Sequence, residues 1–206
     1  LNESLTRLRL RFPPIEMPAL GQDFSSRLDL PASLSHARRL FFYPGSSIGN
    51  FTPDEARAFL RRARAQCDND GGLLIGIDLL KDEAVLAEAY DDALGVTAAF
   101  NLNVLRHVNA LTGADFDVRG WRHHAFFNRD ESRIEMHLEA LRPMTVSWAG
   151  GARSFAKGEC IHTENSYKYR KSAAVGLLEQ SGFQATNVWT DPDEWFAAIH
   201  ARAIGP

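Results

Sequence analysis

The sequence predicts an α/β fold built on a parallel sheet, and three observations carry that reading. Leu40-Phe41-Phe42-Tyr43 and Leu73-Leu74-Ile75-Gly76-Ile77 are short continuous apolar runs, the pattern of strands buried on both faces. Between them, Thr52-Pro53-Asp54-Glu55 writes a helix start: Thr as cap, Pro at the first position, Glu three residues past the cap. Strand, helix and strand over residues 37–78 form the unit from which parallel sheets are assembled. Ligands of such sheets sit beyond the carboxyl ends of the strands, where Tyr43–Asn50 and Asp78 fall.

The other elements follow in chain order. Leu1, Leu5, Leu8 and Phe12 keep helical spacing, and Pro13-Pro14 ends that helix. Ile15 to Leu20 reads as a strand, placed at a sheet edge by Pro18, and Leu28 to His36 as a loop. The Thr52 helix buries Ala56, Phe59, Leu60 and Ala63 and stops near Asn69-Asp70-Gly71-Gly72. Asp82 to Leu111 reads as helices closed by Gly113. From Phe116 the period drops toward two, as in Ile134, Met136 and Leu138. Val118–Phe127, Arg133–Leu141, Thr145–Trp148 and Ser154–His162 are read as antiparallel strands added to the α/β sheet as an insertion. Lys171 to Gln180 is a helix, with Gly182 after it, and Phe183 to Thr190 a strand. Asp191-Pro192-Asp193-Glu194 repeats the Thr52 pattern and predicts a last helix through Trp195, Phe196 and Ile199.

Composition narrows the function. The 206 residues are 45% hydrophobic and 24% charged, enough apolar material for a packed core and too much for a disordered chain. A net charge of −3 argues against a grip on nucleic acid by bulk electrostatics. No apolar run approaches the roughly 20 residues of a membrane span, and the first residues do not read as a signal peptide. The two cysteines, Cys67 and Cys160, are too few for a disulfide framework and fit a reducing compartment. The seven histidines give no metal reading: His123 and His124 point to opposite faces of a strand, and His107, His137, His162 and His200 lack ligand spacing. Gly-x-Ser-x-Gly, Gly-x-Gly-x-x-Gly and the phosphate-binding loop are absent from the sequence. What remains are polar residues in apolar or turn settings: Asp23, Asn50, Tyr90, Glu164 and Ser166. Each also has a plain structural reading, as a turn residue, a helix cap or a partner of Lys168.

Taken together, five segments resemble one family. They are Tyr43-Pro44-Gly45-Ser46-Ser47-Ile48-Gly49-Asn50-Phe51, Ala89-Tyr90-Asp91-Asp92, Gly95-Val96-Thr97-Ala98-Ala99-Phe100-Asn101, Arg133-Ile134-Glu135-Met136 and Thr163-Glu164-Asn165-Ser166-Tyr167-Lys168-Tyr169. In this order, across nearly the whole chain, they resemble the histidine-specific Nα-methyltransferases of ergothioneine biosynthesis. The resemblance implies a partial Rossmann-like class I methyltransferase sheet (residues 1–80 and 169–206) with an inserted α+β substrate-binding domain (81–168). It implies S-adenosylmethionine as cofactor and methylation of the α-amino group of L-histidine to hercynine, by a monomeric cytoplasmic enzyme without metal. Asp23 and Phe24 match the residues at the adenine end of the cofactor, and Gly45 is grouped with them as cofactor-binding. Asn50 and Tyr90 match those that hold the amine and carboxylate, so that positioning replaces a catalytic nucleophile. Glu164 and Ser166 match those that read the imidazole, and Met136 an apolar residue lining the pocket beside it. The family's glycine-rich cofactor strand and the acidic residue after it are not in this sequence, which implies impaired cofactor binding by these residues alone. A related enzyme acting on a tryptophan-derived amine and a non-catalytic amino-acid-binding remnant are the competing readings.

Overall fold

A computed structural model describes residues 2–34 and 37–205. The first sheet has strands β1 (Leu40–Tyr43), β2 (Gly72–Asp78), β8 (Phe183–Thr190) and β9 (Phe196–Ala203), in the order β1-β2-β9-β8. β1 and β2 are parallel, with Leu40 opposite Gly72 and Tyr43 opposite Ile75, while β9 runs antiparallel to both β2 and β8. Helix α2 (Pro53–Ala65) crosses between β1 and β2, and its start carries the full capping box. The Glu55 N–H donates to Thr52 Oγ1 (3.3 Å) and the Thr52 N–H donates to Glu55 Oε2 (2.8 Å). Ala56, Phe59, Leu60 and Ala63 of α2 share one core with Leu73, Ile75 and Ile77 of β2 and with Leu177 and Leu178 of helix α5 (Lys171–Glu179). Gly76 in β2 admits no side chain, because a Cβ there would lie 2.1 Å from the Pro44 carbonyl oxygen and 2.6 Å from the Phe196 ring. Helix α1 (Asn2–Arg11) buries no residue.

A second layer is built from α3 (Glu83–Tyr90), α4 (Val96–Thr112) and the antiparallel sheet β3 (Trp121–Asn128), β4 (Arg133–Ala140) and β7 (Cys160–Tyr167), in that order. A hairpin, β5 (Met144–Trp148) and β6 (Gly151–Phe155), accompanies it. Along β4 the inward residues pack in two groups: Ile134 and Met136 with Leu86 of α3, Leu138 with Leu105 of α4 and Trp121.

The structure revises several expectations. Ile15–Leu20 forms no strand; Pro14 and Pro18 interrupt it, and the Met17 carbonyl is taken by Arg9 Nη2 (2.7 Å). Val118–Gly120 is a 3-10 turn capped by Asp117, so β3 begins at Trp121. The predicted strand Ser154–His162 is two strands, parted by a turn in which Gly158 takes φ +83° and the Glu159 carboxylate accepts from the Ala156 N–H (2.9 Å). β7 then runs on to Tyr167, so Thr163–Ser166 lies inside a strand. The inserted strands are not added to the first sheet. They form a three-stranded sheet and a hairpin of their own, and among the described residues the bridge Leu79–Tyr169 joins the first sheet to the second. The last predicted helix is strand β9. The Asp191 carboxylate accepts from the N–H groups of Asp193, Trp195 and Phe196 and closes a turn instead of opening a helix. The residues after it alternate: Ala197, Ile199, Ala201 and Ala203 are buried between β2 and β8. Leu1 of the first predicted helix and Ser35 and His36 of the predicted loop lie outside the described residues.

The capping box gives a direct check of the α2 assignment. Thr52→Ala removes the side-chain acceptor and should cost about 1 kcal/mol of stability in urea denaturation.

Candidate active site

The carboxyl ends of β1 and β2 converge on a loop that is tied down at both ends. Ser46 takes the left-handed conformation (φ 57°), and its Oγ accepts from the Asp78 N–H at the end of β2 (2.8 Å). Ser47–Asn50 then closes as a 3-10 turn with Ile48 and Gly49 buried. A Cβ on Gly49 would lie 2.9 Å from the Tyr167 carbonyl oxygen, so only glycine lets this turn rest against β7. The result is a cleft of about 370 Å³ between the two sheets, lined among others by Gly45, Asn50, Asp78, Tyr90, Glu164 and Ser166. Asn50 and Glu164 also line an adjoining groove along β7.

One buried ammonium organises the wall of that cleft. The Lys168 side chain is 0% exposed. Its Nζ donates to Asp78 Oδ2 (2.6 Å), to the Tyr90 hydroxyl (2.7 Å) and to Ser166 Oγ (2.9 Å), and it lies 4.6 Å from the Tyr90 ring centroid. Three acceptors match the three N–H donors of an ammonium. The Tyr90 hydroxyl and Ser166 Oγ are themselves 2.7 Å apart. Asp78 is shared with Lys81, whose Nζ reaches Oδ1 at 2.6 Å. From sequence alone Asp78 falls at the ligand edge and Lys168 is only a partner for Glu164 or Ser166. The available signal was the period of two in Glu164, Ser166 and Lys168.

Tyr90 ends α3 and is held from behind. The buried Asn101 amide donates to His123 Nδ1 (2.9 Å) and to the His137 carbonyl (3.1 Å). With Nδ1 accepting, His123 carries its proton on Nε2 and donates it to the Tyr90 carbonyl (2.7 Å). Asp92 starts α4 by accepting from the Thr97 and Val96 N–H groups, which hold its carboxyl down at about 2. Its role is therefore structural.

Glu164 is half-buried, and burial raises its carboxyl above the ordinary glutamate range while the Lys168 charge pulls it back. Met136 sits opposite Glu164 across β4 and β7, 3% exposed, in the cluster of Leu86 and Ile134 against which Tyr90 packs. It backs the cleft rather than lining it. Asp23 and Phe24 stand apart from these residues. The Phe24 ring packs edge-on to Tyr43 (6.1 Å) and Phe59 (6.0 Å) and stays 44% exposed. Asp23 accepts from Ser25 Oγ (2.5 Å), Ser26 Oγ (2.9 Å) and the Ser25 N–H (3.0 Å), bonds that lower its carboxyl. Tyr43-Pro44-Gly45 is the stretch that connects this aromatic patch to the cleft. On the opposite face of the β3-β4-β7 sheet, strand pairing gathers Glu135, His137 and His162 in a way that their spacing in the sequence conceals.

The mixed sheet with its cleft at the carboxyl ends of the parallel strands has the Rossmann-like fold of class I methyltransferases. An S-adenosylmethionine-dependent methyltransferase from Clostridium acetobutylicum superposes with a TM-score of 0.51 over 98% of this chain and 71% of that one, at 10% identity. The family model for SAM-dependent histidine-specific methyltransferase matches residues 1–203, and the chain belongs to that family. It is 43% identical over 184 residues to a histidine N-alpha-methyltransferase of Mycolicibacterium smegmatis, covering 88% of this chain and 56% of that protein. A histidine N-alpha-methyltransferase of Mycobacterium tuberculosis is 38% identical over 194 residues, covering 93% of this chain and 60% of that protein. The chain thus spans 56% and 60% of the lengths of these two relatives. No helix among the described residues is long and apolar enough to cross a membrane.

Lys168→Met leaves the Tyr90 hydroxyl and Ser166 without their common donor and strips one cation from Asp78. Loss of one partner from a buried ion pair should cost about 3 kcal/mol in urea denaturation.

Proposed function

We propose that these residues form the amino-acid-reading part of an enzyme that methylates the α-amino group of L-histidine with S-adenosylmethionine. The observation that carries the reading is the convergence of Asn50, Tyr90, Glu164 and Ser166, from three separate elements, on one cleft at the carboxyl ends of β1 and β2. Family membership supports it. Domain limits at residues 80/81 and 168/169, a monomeric state and a cytoplasmic location belong to the same reading, and two free cysteines suit a reducing compartment.

The residues present fit the adenosine end of the cofactor. Phe24 offers an exposed aromatic surface, Asp23 an ionised carboxylate beside it, and Gly45 an approach without a side chain. S-adenosylmethionine, when bound, supplies a methyl group on a sulfonium. The protein's own task is to hold the amine at the right angle and distance, which is where most of the rate gain in such a transfer arises. The Asn50 side-chain carbonyl accepts a hydrogen bond from an N–H of the amine and fixes its direction without adding charge. The Tyr90 hydroxyl, polarised by Lys168, donates toward the carboxylate. On the ring side Glu164 accepts from an imidazole N–H and Ser166 addresses the other nitrogen. An apolar ring would leave the half-buried Glu164 carboxylate unpaired, a penalty that favours histidine.

Histidine and S-adenosylmethionine incubated with the longest natural form of the chain should give histidine heavier by successive methyl groups in mass spectrometry. Preferential methylation of a tryptophan-derived amine, or no transfer with tight histidine binding, would favour a competing reading. Glu164→Ala with Met136→Val should reduce the preference for histidine over tryptophan by about tenfold or more in a competition assay. The ionised form of Glu164 is the acceptor, and its pKa is raised. Histidine affinity should therefore fall, as pH drops, at a higher pH than an exposed glutamate would give, and Glu164→Gln should remove that limb.

A further inference from the structure

The outer face of the β3-β4-β7 sheet carries a cluster that the cleft does not use. Along β4 the alternation that sends Ile134 and Met136 inward sends Glu135 and His137 outward. The register between β4 and β7 shifts after Met136, with the Thr163 hydroxyl donating to the Met136 carbonyl (2.9 Å), and this shift sets His162 opposite His137. Glu135, His137 and His162 thereby bring one ligand atom each within 4.8 Å of one another. The two imidazoles stack with centroids 4.5 Å apart and 15° between planes. Phe126 stacks on His137 at 5.4 Å, and His124 stands 6.5 Å from it.

The carboxylate is already oriented. Glu135 Oε1 accepts from Asn128 Nδ2 (2.8 Å) and Arg133 Nε (2.9 Å), and Oε2 is turned to His137 Nε2 at 3.1 Å. Outer hydrogen bonds of this kind fix a ligating carboxylate in place. Two imidazoles and one carboxylate suit a first-row divalent transition metal, zinc above all, whereas magnesium and calcium prefer all-oxygen sets. We propose that Glu135, His137 and His162 form a divalent transition-metal site, completed by water or by His124. Donor atoms around a tetrahedral zinc ion lie roughly 3.4 Å apart, so His162, an exposed side chain, moves inward by about 1 Å on binding. Arg133 shares the charge of Glu135, which weakens the hold of that carboxylate on a cation. The bound ion would staple β4 to β7, the two strands whose other faces carry Met136 and Glu164.

The test is calorimetric titration of the chain with Zn²⁺, with Co²⁺ visible absorption as a second readout. One equivalent should bind with micromolar affinity, Co²⁺ should show the intense visible bands of a low-coordinate site, and the thermal midpoint should rise with Zn²⁺. His162→Gln should weaken binding at least tenfold, and His107→Gln, at an exposed position of α4, should leave it unchanged. No binding up to millimolar Zn²⁺, an equal response to Mg²⁺, or unchanged binding by His162→Gln would overturn the proposal.

Discussion

The cleft depends on the ion pair between Lys168 and Asp78. Asp78 closes β2 of the first sheet, and Lys168 directly follows β7 of the second. Among the described residues, strand pairing otherwise joins the two sheets only at the isolated bridge Leu79–Tyr169. An ammonium with 0% exposure is costly unless every proton finds an acceptor, and here each does. Satisfying the ammonium fixes where Tyr90 and Ser166 stand relative to the ends of the parallel strands. The interaction that holds the two layers together therefore also shapes the wall of the site.

Close backbone approach complements this charge. Gly49 lets the 3-10 turn lie against Tyr167, and Gly76 lets β2 pass under Pro44 and Phe196. Without either contact the turn bearing Asn50 would stand away from β7, where Glu164 and Ser166 are mounted. Glu164 and Ser166 of β7 face the cleft, while His162, which simple alternation would set on the same face, is turned to Glu135 and His137 of β4. A single bulge after Met136 makes both arrangements possible at once.

Much of the first sheet was legible from local signals. Apolar runs marked β1 and β2, though Leu40 and Phe42 leave one face of β1 exposed and not buried as the run predicts, and the Thr52 capping box marked α2. The same kind of signal misled at Asp191. There an identical pattern of cap, proline and glutamate closes a turn, because the alternating Ala197, Ile199, Ala201 and Ala203 pair with β2 and β8. A capping signal reports on a few residues, whereas strand pairing is decided by partners distant in the chain. The site shows the same divide. Asn50, Tyr90, Glu164, Ser166 and Gly45 meet in one cleft, Met136 lies beneath it, and Asp23 and Phe24 sit by the aromatic patch beyond Gly45.

By itself the sequence determined the α/β class, the strand–helix–strand unit and the family resemblance, since these rest on periodicity and on short motifs read locally. The tertiary structure decided which groups share a place. It made a partner for Asp78 out of Lys168, a residue 90 positions away, and brought His162 beside His137 across a strand pair. Such pairings are set by register and burial across the whole chain, which no local window contains.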